Sequence, residues 1–294
     1  MSTVVVFGAT GFLGRPVAEL LEGDARVTRL VRPRRAELDL LTAAPADVAD
    51  LLAAARPAAV LNCVGRLSGG YDELLRGNAG VAAVLLEAVA LAVPRARLVR
   101  LGSAAEYGPA LPGARQREDG PARPTGAYGI SHLAGTLLVE RAREVDAMSL
   151  RVFNPVGPGV SAGNVLGRVL ELIGAATGDV EVGPLGAVRD FVDVRDVARA
   201  VVRAAFAAEP AERVVNVGSG RAVLVREAVA LLAEATGFTG EIRESAPAPG
   251  RSDADWSQAD TGRAERVLGW RATVPLTESI KAMSIKAMST RATA

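Results

Sequence analysis

In the segment YGISHLAGT, residues 128 to 136, a phenol and an imidazole stand four residues apart. Four residues make about one helical turn, so Tyr128 and His132 are expected to project from the same helix face. Unperturbed, a phenol titrates near ~10 and an imidazole near ~6.5, so at neutral pH the first holds a proton to give and the second is mostly uncharged. His132 is the only histidine in the chain. A second constellation lies near the N-terminus, where GATGFLG carries Gly8, Gly11 and Gly14. Glycines there let the backbone turn sharply, approach a pyrophosphate and pack a helix on a strand, with helix N–H groups aimed at phosphate. Thr10, Phe12 and Leu13 belong to the same turn and are expected beside a bound dinucleotide with the three glycines.

These groups need a frame. The β-branched run TVVVF (3–7) precedes the glycine turn, and RPVAELLEG follows it as an apolar helical pattern closing on Gly23, which predicts strand, tight turn, helix. RVTRLV (26–31), AAVLNCV (58–64) and RLVRL (97–101) read as further strands, with helical stretches DVADLLAAAR and AGVAAVLLEAVALA between the later ones. Alternating strands and helices predict an α/β fold, a Rossmann-like doubly wound parallel sheet covered on both faces. After residue 150 the strands shorten and Gly and Pro interrupt them, as in FNPVGPGVSAGN, which predicts a smaller substrate-binding lobe. The expected division is 1–153 for the NADP-binding domain, with 190–217 returning to it, and 154–189 with 218–279 for the lobe.

The end of the second strand in such a fold selects the cofactor. An acidic residue there binds a ribose 2'-hydroxyl, whereas arginine accepts a 2'-phosphate. LVRPRRAELDL offers Arg32, Arg34 and Arg35 with no carboxylate before Glu37, so NADP(H) is the expected cofactor, with Asp39 near the adenine. A solvated basic loop is the competing reading.

Composition excludes several classes. Of 294 residues, 49% are hydrophobic, the mean hydropathy is +0.23 and the net charge is +1, with charges spread along the chain. That balance supports a large core and suggests neither a nucleic-acid stripe nor a membrane-binding face. MSTVVVFGATG lacks the basic start of a signal peptide, and no uncharged apolar run of about 18 residues is present to span a bilayer. The single cysteine, Cys63, permits no internal disulfide, and a cytoplasmic location is expected. No metal site is expected. Lys281 and Lys286 are the only lysines, and both fall in a duplicated SIKAM unit, so residues 280–294 read as a disordered or foreign tail.

Taken together, GATGFLG, LGSAAEYG, YGISHLAG, RVFNPVGPG and VRDFVDVRDVARA resemble the extended short-chain dehydrogenases/reductases of the NAD-dependent epimerase/dehydratase group, over about residues 3 to 279. Within that group LGSAAEYG, RVFNPVGPG and VRDFVDVRDV together look most like reductases of 4-keto-6-deoxy sugar nucleotides, notably the GDP-4-keto-6-deoxymannose reductases. The resemblance implies hydride transfer between a nicotinamide and a carbonyl or carbinol carbon. It implies Tyr128 as the proton donor and Ser103 as the hydroxyl holding the reacting oxygen, with Ala104 beside the substrate. His132 takes the position of a lysine that anchors the nicotinamide ribose and lowers the tyrosine pKa. Asn154, Arg189 and Arg251 fall where relatives contact substrate, the arginines near its diphosphate, although Arg189 paired with Asp193 or Asp196 is an equal reading. Tyr107 is expected to be a turn element, and a homodimer through the helices flanking the site is implied.

The departures narrow the chemistry. A neutral His132 stabilises phenolate less than lysine, which should impair oxidation more than reduction; hydrogen bonding to the ribose, proton relay and simple packing all remain open for the ring. Sugar-nucleotide dehydratases carry an Asp-Glu pair after the catalytic hydroxyl, and here Ala104 and Ala105 follow Ser103, so elimination lacks its acid and base. The leading expectation is a ketoreductase acting on a 4-keto-6-deoxy sugar nucleotide. A polyketide or aromatic ketone in specialised-metabolite (antibiotic) biosynthesis is the alternative substrate, and a non-catalytic NADP(H)-sensing regulator is the reading from a different class.

Overall fold

The computed structural model describes residues 2–208, 212–246 and 255–292, with side chains of the last helix given as far as Ile285. TVVVF lies in β1 (Ser2–Phe7), where Val4, Val5, Val6 and Phe7 are all buried. Val4 and Val6 join the layer containing Val17, Leu21 and Val201, while Val5 and Phe7 meet Leu52, Val60 and Leu85 on the opposite face. A strand covered on both faces is an unbroken apolar run, which explains why this segment shows no alternation.

The chain continues through α1 (Gly14–Glu22), β2 (Val27–Val31), α2 (Pro45–Ala55), β3 (Ala59–Asn62), α3 (Tyr71–Leu75), a π-helical turn and α4 (Val81–Ala92). Next come β4 (Arg97–Ser103), a 3-10 turn at Ala104–Glu106, α5 (Ala127–Arg141), β5 (Ala147–Val152), β6 (Pro155–Val156) and α6 (Val165–Ala175). The remainder comprises β7 (Val180–Val182), β8 (Val188–Arg189), β9 (Val192–Asp193), α7 (Val194–Ala205), β10 (Val214–Val217), β11 (Val223–Leu224), α8 (Val225–Thr236), β12 (Ile242–Glu244), α9 (Gly262–Leu268) and α10 (Leu276–Ala292).

Six strands form one parallel sheet in the order β10-β5-β4-β3-β1-β2. Helices α1, α7 and α9 cover one face and α2, α4 and α5 the other, the doubly wound Rossmann-like arrangement. Strand order reverses at β1, and in open sheets of this kind ligands bind outside the carboxyl ends of the strands at that reversal. Register aligns Phe7 with Asn62, Asn62 with Arg100 and Arg100 with Ser149, and β4 then runs on to Ser103 opposite Val152. The glycine turn, Ser103 and Asn154 therefore share one edge of the sheet.

Helices α6, α8 and α10 pack with short strand pairs, β7 with β12 and β8 with β11, around Leu166, Ile173, Phe191 and Leu232. Of the segment expected to stand outside the fold, residues 280–292 belong to α10 instead. Leu276, Ile280 and Met283 fall on one helical face, and the last two are 1% exposed in the lobe core. Ser279 donates to Asp193 at 2.6 Å and Arg195 pairs with Glu278 at 2.8 Å, which ties the helix to the start of α7. The repeat conceals an ordinary core face. Within the helical run Tyr71–Ala92 an 18-residue window has a mean hydropathy of 1.6, apolar enough by length and composition for a membrane crossing although the run carries charged residues. Half of that apolar window is buried, as in a core helix of an α/β layer, and Val81, Leu85 and Val89 lie in the sheet-facing cluster.

Candidate active site

The end of β1 enters the glycine turn with Gly8 at φ +75°, a left-handed conformation that side chains disfavour. A Cβ on Gly8 would lie 2.9 Å from the Cys63 carbonyl carbon at the end of β3, and one on Gly14 only 2.0 Å from Gly8 O. The turn thus closes against its neighbour strand with no room for a methyl group. No side chain caps the N-terminus of α1 and no acidic residue lies in its first turn. Thr10 and Gly11 are exposed at this end, Phe12 and Leu13 half-buried, with Leu13 packed on the core. An uncapped helix start behind a glycine cradle fits the phosphates of a dinucleotide.

Beyond β2 the three arginines each hold a carboxylate at the surface: Arg32 that of Glu22, Arg34 that of Glu37 at 2.7 Å and Arg35 that of Asp39 at 3.0 Å. Asp39 also accepts from Leu41 N at 3.1 Å, and that bond, with Arg35, lowers its pKa. Exposed pairs of this kind contribute little, about 0–1 kcal/mol, so a phosphate could exchange for any of these carboxylates at small cost.

Tyr128, His132 and Ser103 meet where α5 docks on the end of β4. Gly129 lies against the turn after Ser103, and a Cβ there would be 2.3 Å from Ala105 O. This close approach brings Tyr128 to Ser103. Ser103 is 9% exposed; its Oγ accepts from Ala105 N at 3.2 Å, and its own N–H donates to Glu106 at 3.0 Å. Tyr128 and His132 do share a face, their rings meeting edge-on with centroids 4.6 Å apart. Burial pushes the Tyr128 phenol above its ordinary value; the nearby Ser103 hydroxyl and the charge of Arg100 pull the other way, and Glu106 adds to the rise. His132 is buried, and that burial, with the Arg100 charge beside it, lowers its pKa to about 3. The site therefore holds a protonated phenol and a neutral imidazole at physiological pH.

Behind these two side chains lies a buried polar cluster absent from the sequence reading: Arg100, Glu106, Thr136, Ser149 and Arg151. Glu106 pairs with Arg151 at 2.7 Å and accepts from Thr136 at 3.0 Å. A signal was present for Arg100, which sits inside RLVRL, a strand of a sheet expected to be covered on both faces, where a charge needs a partner.

The residues expected to contact substrate converge less. Asn154 donates from its side chain to Asp190 O at 3.1 Å. Arg189 binds neither Asp193 nor Asp196; it donates to Val188 O and Asp255 O, each at 3.0 Å, and pairs with the Asp255 carboxylate. Asp193 holds Arg195 and Asp196 holds Arg199, each capping or bracing α7 from its first turn. Arg251 lies outside the described residues. Ala104 packs on Tyr107, Phe153 and Ala259. Tyr107 is 4% exposed, donates to Asn216 at 2.6 Å, and burial pushes its phenol up to about 12, a structural placement. No metal-ligand cluster occurs among the described residues.

Residues 4–218 match the NAD dependent epimerase/dehydratase family. The dTDP-6-deoxy-L-talose 4-dehydrogenase (NAD(P)(+)) of Kitasatospora kifunensis is 39% identical over 95% of this chain and 93% of its own length. RMD from Pseudomonas aeruginosa, solved with NADPH, superposes over 99% of this chain and all of its own with a TM-score of 0.86 at 24% identity. MoeE5, solved with UDP-glucose and NAD, covers 99% of this chain and all of its own, with a TM-score of 0.82 at 26% identity. With its reversal-point glycine turn, and with Ser103 and Tyr128 at the same sheet edge, the chain belongs to the NAD dependent epimerase/dehydratase family of extended short-chain dehydrogenases/reductases.

Proposed function

We propose that this protein is an NADPH-dependent ketoreductase that converts the C4 carbonyl of a nucleotide-bound 4-keto-6-deoxyhexose to an alcohol. The observation that carries this reading is the protonated Tyr128 held against Ser103, with Ala104 and Ala105 where an elimination would need acid and base. The Kitasatospora relative supports it, because its name places redox chemistry at C4 of a dTDP-bound 6-deoxyhexose. That makes a dTDP sugar the first substrate to try.

The cofactor, when bound, supplies a hydride to the carbonyl carbon. Gly8, Gly11 and Gly14 would hold its pyrophosphate with Thr10, Phe12 and Leu13 alongside, and Arg32, Arg34 and Arg35 its 2'-phosphate, with Asp39 near the adenine. Ser103 would hold the substrate oxygen by hydrogen bonding, and Tyr128 would give that oxygen its proton. Reduction starts from a protonated phenol, the state that burial enforces here, whereas oxidation would need the phenolate. The sheet unit (1–153 with 190–217) carries the cofactor in this reading and the lobe (154–189 with 218–279) the sugar diphosphate, with Arg189 and Arg251 as its phosphate contacts. Arg189 would have to exchange its Asp255 partner for the diphosphate. A reducing cytoplasm suits the lone Cys63. Exposed Ile130, Leu137 and Leu138 on α5 would give a homodimer its surface.

The test is NADPH consumption by purified protein with dTDP- and GDP-linked 4-keto-6-deoxyhexoses and with aromatic polyketide ketones in parallel. Turnover confined to the nucleotide sugars is expected. Turnover only with the aromatic ketones would overturn the substrate, and no turnover with any ketone would favour a sensing protein.

A further inference from the structure

Arg100 is a charged side chain 2% exposed in the middle of the sheet. Its guanidinium lies under α5, where Gly135 leaves it room; a Cβ at Gly135 would fall 2.9 Å from Arg100 Cζ. Nη1 donates to Thr136 Oγ1 at 2.8 Å, Ser149 Oγ at 3.1 Å and His132 O at 3.3 Å, and Nη2 stands 3.4 Å from His132 Nδ1. A guanidinium has donors and no acceptor, so the imidazole Nδ1 must accept, and the proton of a neutral ring then sits on Nε2. The cluster holds two guanidiniums, Arg100 and Arg151, against the single carboxylate of Glu106, which leaves a positive charge buried behind the site. As scaffold alone this is costly, because apolar residues of similar volume commonly serve stability as well or better.

We infer that Arg100 is a positioning residue that locks His132 as a neutral imidazole with its hydrogen on Nε2, making the ring a fixed donor and excluding it as a proton relay. The inference rests on the reductase reading for its purpose. A lysine would bring both a donor and a charge; here the two are divided, with Nε2–H as the donor and the buried guanidinium as the charge felt by Tyr128. The charged or titratable groups against His132 are Arg100 from β4 and Tyr128 on its own helix, with the Glu106–Arg151 pair in the same buried cluster beyond them.

Because the chain has one histidine, 15N-labelled protein gives a single imidazole in long-range 1H–15N spectra, which report the tautomer with no ligand present. Wild-type protein should show the Nε2–H tautomer throughout about pH 6 to 8. An Nδ1–H tautomer, or an imidazolium at the acid end of that range, overturns the inference. Arg100→Met removes the donor at similar length; the tautomers should then mix, and the turnover number for reduction should fall about tenfold, the scale of one charge-assisted hydrogen bond. Arg100→Lys should restore both. An unmixed Nε2–H tautomer in Arg100→Met also overturns the inference. Should that variant fail to fold, the wild-type spectrum decides alone. A wild-type enzyme with the Nε2–H ring but no ketone reduction would sink the reductase reading and leave the lock standing, whereas an active enzyme with an Nδ1–H ring would sink only the lock.

Discussion

Acidification offers a quantitative handle on His132. In the unfolded chain the imidazole titrates near ~6.5, whereas in the folded protein its pKa is lowered to about 3 by burial and by Arg100. Below pH 6.5 the unfolded state therefore binds a proton that the folded state refuses, so stability drains away as pH falls from 6.5 toward 3. Each unit of that interval is worth about 1.36 kcal/mol, so acidifying from pH 7 to pH 5 should cost about 2 kcal/mol through this residue alone. Carboxylates titrate too, and the comparison must remove them. His132→Gln does so, since its side-chain oxygen still accepts from Arg100 while nothing at that position titrates. Urea unfolding at pH 7 and pH 5 should show the wild type losing about 2 kcal/mol more than the variant. Equal losses would refute the reasoning, because they would mean that His132 titrates alike in both states.

Other expectations use the same geometry. Tyr128→Phe should lower NADPH-dependent reduction at least about a hundredfold, the scale of lost general acid catalysis, and near-normal turnover would mean that the substrate supplies its own proton. With Tyr128 held above the ordinary phenol value and His132 titrating about 3, turnover for reduction should show no inflection between about pH 5 and 9; a step near ~6.5 would contradict the neutral imidazole. His132→Lys should raise oxidation more than reduction, and should lower the melting temperature, because the new ammonium would face Arg100; the double variant with Arg100→Met should recover the melting temperature, and no recovery would count against the charge conflict. Gly14→Ala would drive a methyl group to 2.0 Å from Gly8 O, so NADPH binding followed by fluorescence should be lost, and unchanged binding would contradict the cradle.

The frame was legible because its signals are local. TVVVF, the glycine spacing of GATGFLG and the alternating helical stretches each follow from burial on both faces of a parallel sheet. Tyr128 and His132 were readable as a pair because one helical turn separates them. What surrounds them was not, since Arg100 and Glu106 come from β4 and the turn beyond it, and only the packing of α5 through Gly129 and Gly135 brings Arg100 to His132 and Glu106 to Thr136. The partner of Arg189 was misjudged for a similar reason. Asp193 and Asp196 are near it in sequence but serve the N-terminus of α7, while Asp255 arrives from a distant segment. The tail misled through composition: two lysines and a repeat looked foreign, yet Leu276, Ile280 and Met283 carry the spacing of a buried helix face.

The central claim is that hydride reaches C4 of a nucleotide-bound ketosugar, with Tyr128 giving the proton to its oxygen. Reduction of a dTDP-4-keto-6-deoxyhexose with NADPH deuterated at the nicotinamide C4, using each stereospecifically labelled form, tests it most directly. The account predicts a product carrying deuterium at sugar C4 from one of the two forms, and almost none formed by Tyr128→Phe. Product without label from either form, or label that persists at full rate in Tyr128→Phe, would contradict it.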